Sequence, residues 1–238
     1  MNITTIFFDL DDTLHDHQKP FAHALRSSFS YLPEEFQIDL AYKRLRYHSD
    51  VLWKEYVSQS IGLYDLRLQR IVLALRDFDI EISKDQAALF QEQYEKELSR
   101  ITLIPEVPSL LHTLKENGIQ IGLITNGPVQ HQKNKIDALR LHEYFSPELM
   151  IISDGVGFAK PDPRIFYEAA SRIEDHPEQI LYVGDTWHND VVGPISAGWH
   201  SVWYNLRKRS PETEHKPVLV TEDLSSILSL LELGLIKQ

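Results

Sequence analysis

Residues 3–14 read Ile-Thr-Thr-Ile-Phe-Phe-Asp-Leu-Asp-Asp-Thr-Leu. The β-branched and aromatic run Ile3–Phe8 has the composition of a strand buried on both faces, and it stops at a carboxylate, Asp9. Side chains two apart in an extended chain point the same way, so Asp9 and Asp11 can converge where the strand ends and the chain turns. Two carboxylates at one spot repel each other unless a cation neutralises them. A divalent ion that prefers oxygen ligands, most simply Mg²⁺, meets that need. Read without context, the same residues are a pair of solvated loop aspartates.

Similar apolar runs recur at 119–125 (IQIGLIT), 149–153 (LMIIS), 180–184 (ILYVG) and 201–205 (SVWYN). Between them lie helical stretches at 105–117, 163–173 and 189–197, the first and last followed by Gly118 and Gly198. Strands alternating with helices predict an α/β fold: a doubly wound, Rossmann-like parallel sheet covered by helices. Residues 15–103 differ. Phe21, Leu25, Phe29 and Leu32 share one helix face, as do Leu45, Leu52 and Tyr56. Leu68, Ile71, Val72, Leu75 and Phe78 form a third stripe, and Phe90, Tyr94, Leu98 and Ile101 a fourth. The expected organisation is a core domain of residues 1–14 and 104–238 with an all-helical domain of about four helices, 15–103, inserted after the first strand.

The 238 residues contain no cysteine, which excludes disulfides, zinc–thiolate and iron–sulfur sites and a thiol nucleophile. The net charge of −11 argues against gripping a nucleic-acid polymer by bulk charge. The acid is uneven. Residues 15–103 carry 12 Lys/Arg and 14 Asp/Glu, the remainder 12 and 21. The excess lies in the sheet domain, where open α/β sheets place ligands at strand ends. No basic leader precedes the first apolar run and no stretch has the length of a membrane span, so the expected location is the cytoplasm. Nothing in the sequence marks an oligomer interface. The polar segment 207–217 reads as an exposed loop.

Three further clusters carry chemistry. Gly184-Asp185-Thr186-Trp187-His188-Asn189-Asp190 follows an apolar strand, so Asp185 offers another carboxylate and Asp190 can support it, with Asn189 as a helix cap. Thr125-Asn126-Gly127 places a hydroxyl at a strand end before a helix, suited to a phosphate oxygen, or forms an Asn-Gly turn. Lys160-Pro161-Asp162-Pro163 holds a lysine in a rigid loop, poised against the carboxylates or exposed to solvent.

The order DLDDT, TN, KP and GDTWHND resembles the haloacid dehalogenase-like hydrolase superfamily, with 15–103 in the place of its type-one cap; the look is closest to the pyrimidine 5′-nucleotidase-like branch. The resemblance implies a phosphomonoester hydrolase. In it Asp9 is the nucleophile that forms an aspartyl-phosphate, and Asp11 is the general acid and base. Thr125, Asn126 and Lys160 hold the phosphoryl group. Mg²⁺ is bound by Asp9, Asp185 and the backbone carbonyl of Asp11, while Thr13 and Asp190 give support. It implies a small phosphate ester as substrate, with nucleoside monophosphates first. An acid at position 11 favours ester chemistry over the alternative, a 2-haloacid dehalogenase; a non-catalytic phosphometabolite-binding protein is the other alternative. The family usually has Ala where this chain has Pro194, so the helix after Asp190 is expected to begin with a short or bent turn. His15 and His17 are expected to border the hinge between the two domains.

Overall fold

The structure is a computed structural model that describes residues 2–236; Met1, Lys237 and Gln238, at the ends of the expected core segments, lie outside the described residues. Six parallel strands form one sheet: β1 (Thr5–Phe8), β2 (Gln120–Thr125), β3 (Met150–Ile152), β4 (Ile180–Gly184), β5 (His200–Tyr204) and β6 (Leu219–Thr221). Their order is β3-β2-β1-β4-β5-β6. From β1 the chain builds outward through β2 to β3, then returns to the other side of β1 and builds out through β4 and β5 to β6. The reversal lies between β1 and β4, where open α/β sheets form their ligand crevice. There Phe8 pairs with Val183 on one side and with Leu123 on the other.

Both faces of β1 are buried, which explains its unbroken apolar run. Phe7 stacks on Trp199 at 5.3 Å between ring centroids, and Phe166 meets Trp199 edge-on. The ring of Phe7 needs Gly122 on the paired strand, since a Cβ there would sit 2.2 Å from it. The helices of this unit are α5 (Val107–Glu116), α6 (Val129–Ala138), α7 (Ser153–Val156), α8 (Pro163–Ala170), α9 (Gly193–Ser196) and α10 (Ser229–Glu232); they are numbered after four helices of the insertion.

Two local expectations are corrected. The strand β6 falls just after the polar segment and was not expected. It is three residues long with Val220 half-exposed, so it has neither the length nor the burial that makes an apolar run stand out. The helix after Gly184 is not capped by Asn189. A π-helical segment, Trp187–Val192, begins with Thr186 at its cap position and runs into α9. Where a short or bent turn was expected from Pro194, the chain forms this π-helical segment; proline has no N–H to give, and the carbonyl of Asp190 accepts from Ser201 Oγ at 2.7 Å.

The chain divides into two compact units: residues up to Asp16 with those from Thr102 onward, and His17–Ile101. The second unit consists of α1 (Gln18–Ser28), α2 (Ile38–Val57), α3 (Leu63–Arg76) and α4 (Lys84–Leu98), one for each apolar stripe. Phe21, Phe29, Phe90 and Tyr94 pack ring to ring at its centre. His17 is buried here, with Nδ1 2.8 Å from the Tyr42 hydroxyl and Nε2 3.3 Å from that of Tyr94. Helix α4 starts with a reciprocal cap between Ser83 and Gln86. Among the described residues no helix is long and apolar enough to cross a membrane.

Candidate active site

Three carboxylates meet at the reversal point. Asp9 extends the β1–β4 ladder by one residue, its N–H donating to the carbonyl of Val183 at 2.9 Å. That bond fixes Asp9 beside the end of β4, where Asp185 emerges. The indole N–H of Trp203 on β5 donates to the Asp185 carbonyl at 2.8 Å and holds its main chain. Asp190 comes back from the π-helical segment, one oxygen accepting from the N–H of Thr186 at 2.8 Å. Its approach depends on Gly184, because a Cβ there would lie 2.5 Å from the Asp190 carboxyl carbon. One carboxylate oxygen from each of Asp9, Asp185 and Asp190 lies within 4.8 Å of the others.

Lys160 is driven into this cluster. Its ammonium donates to Asp9 Oδ1 at 2.7 Å, to Asp190 Oδ1 at 2.7 Å and to the Tyr182 hydroxyl at 2.6 Å. Tyr182 in turn donates to the Ile124 carbonyl at 2.9 Å. The main chain of Lys160 is clamped by Asn126, whose amide accepts from the Lys160 N–H and donates to the Lys160 carbonyl, both at 2.9 Å. The Asn126 side chain is thus engaged with the lysine loop. Thr125, the last residue of β2, is buried, and the Thr13 hydroxyl donates to Asp9 Oδ2 at 3.3 Å.

Burial dominates the electrostatics. It pushes Asp9 up to about 6; Lys160 pulls the other way, and Asp190 and Asp11 add to the rise. Burial, with help from Asp12, Asp190 and Asp9, holds Asp185 well above the carboxylate range against the opposing pull of Arg209. For Lys160 burial works to lower the ammonium, but Asp190 and Asp9 outweigh it and keep it well above its ordinary value. Converging carboxylates that Lys160 neutralises only in part suit a hard divalent cation. The donor set is all oxygen, as Mg²⁺ requires, and contains no soft or nitrogen ligand.

The model of the haloacid dehalogenase-like hydrolase family matches residues 3–198, spanning strands β1 to β4 and the inserted helices. The chain belongs to that family. Among its relatives, this hydrolase is 32% identical over 201 residues to the glyceraldehyde 3-phosphate phosphatase of Methanopyrus kandleri, covering 84% of this chain and 83% of the other. It is 30% identical over 233 residues to the pyrimidine 5′-nucleotidase YjjG of Escherichia coli, covering 95% and 96%. The magnesium-bound crystal structure of the HAD-hydrolase YfnB from Bacillus subtilis superposes with a TM-score of 0.74 at 24% identity, covering 97% of this chain and 99% of that one, which is a likeness of fold. The chain is accordingly a phosphoric monoester hydrolase of the haloacid dehalogenase-like family.

Not every residue singled out in the sequence joins the cluster, and several that join its surroundings were not anticipated. The grouped carboxylates are those of Asp9, Asp185 and Asp190, whereas that of Asp11 is engaged by the Nζ of Lys135 at 2.7 and 2.6 Å and by His15 Nε2 at 2.8 Å. Lys135 was missed. Gln132, Lys135 and Ile136 share one face of α6 and all three are buried, but in the sequence two polar residues on a helix face read as solvated. Gln132 donates to the Asn126 carbonyl at 2.6 Å. The segment read as an exposed loop sends Arg207 to Asp12 at 3.0 Å and Arg209 to within 3.7 Å of Asp185. Asn205 pins that loop through two bonds to the main chain of Arg209. The Arg207–Asp12 pair joins positions 195 apart, and no local pattern announces it.

Proposed function

We propose that this hydrolase is a Mg²⁺-dependent phosphatase of small phosphorylated metabolites and works through an aspartyl-phosphate. The single observation that carries the reading is the Lys160 ammonium bonded to both Asp9 and Asp190 beside Asp185. It gives a buried nucleophile a fixed direction and a cationic neighbour where an anionic ester must approach. Asp9, Asp185 and the main chain at Asp11 would hold the metal, with Asp190 tied to Lys160 and Thr186 behind them. When bound, Mg²⁺ supplies positive charge that offsets the phosphoryl oxygens.

The remaining work falls to the chain. A carboxylate oxygen of Asp9 attacks phosphorus as the ester P–O bond breaks, and Asp11 gives a proton to the departing alkoxide. Asp11 then takes a proton from water as that water attacks the aspartyl-phosphate, releasing inorganic phosphate and restoring Asp9. Thr125 and Lys160 orient the phosphoryl oxygens. Asn126 acts through the Lys160 main chain that its amide clamps. The relatives named above act on a triose phosphate and, as a pyrimidine 5′-nucleotidase, on a nucleotide. Both are monoesters with a poor alkoxide leaving group. Triose phosphates and nucleoside monophosphates are therefore the first substrate classes to assay.

The test is turnover of p-nitrophenyl phosphate and of a panel of metabolite phosphates, with and without Mg²⁺, by the parent and by Asp9→Asn. Metal-dependent release that the substitution abolishes supports the reading. Undiminished release by the folded Asp9→Asn protein would overturn it.

A further inference from the structure

We infer that Lys135 is a positioning residue for Asp11, setting the direction in which that carboxylate delivers its proton. The inference rests on the phosphatase reading above, in which Asp11 serves the leaving group. Lys135 is almost wholly buried, at 2% exposure, and its ammonium reaches both oxygens of Asp11, at 2.7 and 2.6 Å. A contact to one oxygen leaves a carboxylate able to swing about its Cβ–Cγ bond, whereas contacts to both from one ammonium define the plane of the group. His15 Nε2, 2.8 Å from Oδ1, adds a fixed third point from the same turn of chain. Burying an ammonium is strongly unfavourable unless a partner carboxylate offsets the lost hydration. A lysine set on the inward face of α6 and turned to the aspartate two residues beyond the nucleophile therefore points to a role at Asp11.

The placement also links two strand ends. Helix α6 begins directly after Thr125-Asn126-Gly127, and Gln132, one turn before Lys135, donates to the Asn126 carbonyl at 2.6 Å. The amide of Asn126 in turn clamps the main chain of Lys160. The ammonium that aligns Asp9 and the one that aligns Asp11 are thus tied to one short segment of chain. A displacement of α6 would misdirect both carboxylates together.

The measurement is kcat/KM for Lys135→Met and Lys135→Arg on two esters, in the parent and in Asp11→Asn. p-Nitrophenolate leaves without being protonated, while the alkoxide of glycerol phosphate does not. If Lys135 acts through Asp11, Lys135→Met loses at least about tenfold on glycerol phosphate and about threefold or less on p-nitrophenyl phosphate. Lys135→Arg recovers part of the loss. In the Asp11→Asn background the same substitution adds no more than about twofold, because the group it directs is already gone. Inhibition by inorganic phosphate stays unchanged, since Lys135 does not itself hold the phosphoryl group. An equal loss on both esters, a full loss persisting in Asp11→Asn, or weakened phosphate inhibition would each overturn the inference. Lys135→Gln, checked for folding by circular dichroism, reads the same way if the methionine variant does not fold. Turnover that survives Asp9→Asn would instead remove the phosphatase reading itself, so the two failures are separable.

Discussion

Asp9 holds its proton more tightly in the folded chain than in the unfolded one, with the folded value near 6 against an ordinary 3.8. The unfolded chain releases that proton first as pH rises, so the contribution of Asp9 to stability is intact below about pH 4 and is lost between there and about pH 6. The displacement corresponds to about 3 kcal/mol. Asparagine resembles the protonated acid in shape and charge. Asp9→Asn should therefore match the parent near pH 4 and exceed it by up to about 3 kcal/mol at pH 8 without metal, as read by urea unfolding at each pH. An equal difference at both pH values would contradict the burial argument. Gly184 gives a second prediction. Alanine there must displace the Asp190 carboxylate, which parts it from Lys160 and Thr186. A destabilisation of about 1–3 kcal/mol is expected from overpacking alone, with a loss of turnover well beyond what the change in stability explains. The acidic residues at 9, 185 and 190 could be picked out from sequence because each follows or nearly follows an apolar strand. Lys135 could not be found that way, because its partner lies 124 positions away and lysine on a helix is ordinarily solvated.

The strands other than β6 were legible because burial on both faces demands continuous apolar runs, as in Ile3–Phe8 and Ile180–Val183. The helices of the insertion were legible from four apolar stripes. The π-helical segment was not, since nothing local in Trp187–Val192 distinguishes it from an α-helix; it forms where Asp190 must reach back past Gly184 to Lys160 and where Pro194 cannot donate. Pro194→Ala restores a donor and should change stability by less than about 1 kcal/mol, because Ser201 already serves the Asp190 carbonyl. Chemical denaturation of that variant checks it. At the start of α4, Ser83→Ala removes half of the reciprocal cap and is expected to cost about 1 kcal/mol, measured the same way.

Across the molecule, the crevice concentrates negative charge that the ligand-free protein must hold at a cost. A divalent cation that binds only the folded form relieves it, so Mg²⁺ should raise the melting temperature at pH 7.5. The rise should shrink at about pH 5, where Asp9, with its value near 6, is largely protonated and proton and metal compete for the same oxygens. Asp185→Asn should abolish the rise at both pH values. A shift of undiminished size in that variant would place the cation elsewhere.

The amino-acid order alone carries the alternation of buried strands and helices, the inserted helical block and the carboxylates at strand ends, because each is written in neighbouring residues through burial period and chain reversal. The partners of those carboxylates are another matter. That Lys160 bridges Asp9 and Asp190, that Lys135 takes Asp11, and that Arg207 and Arg209 return to Asp12 and Asp185 follow from which strands lie side by side at the reversal point. Charge pairing in a buried crevice is set by distance in space, and strand order, not separation along the chain, sets that distance.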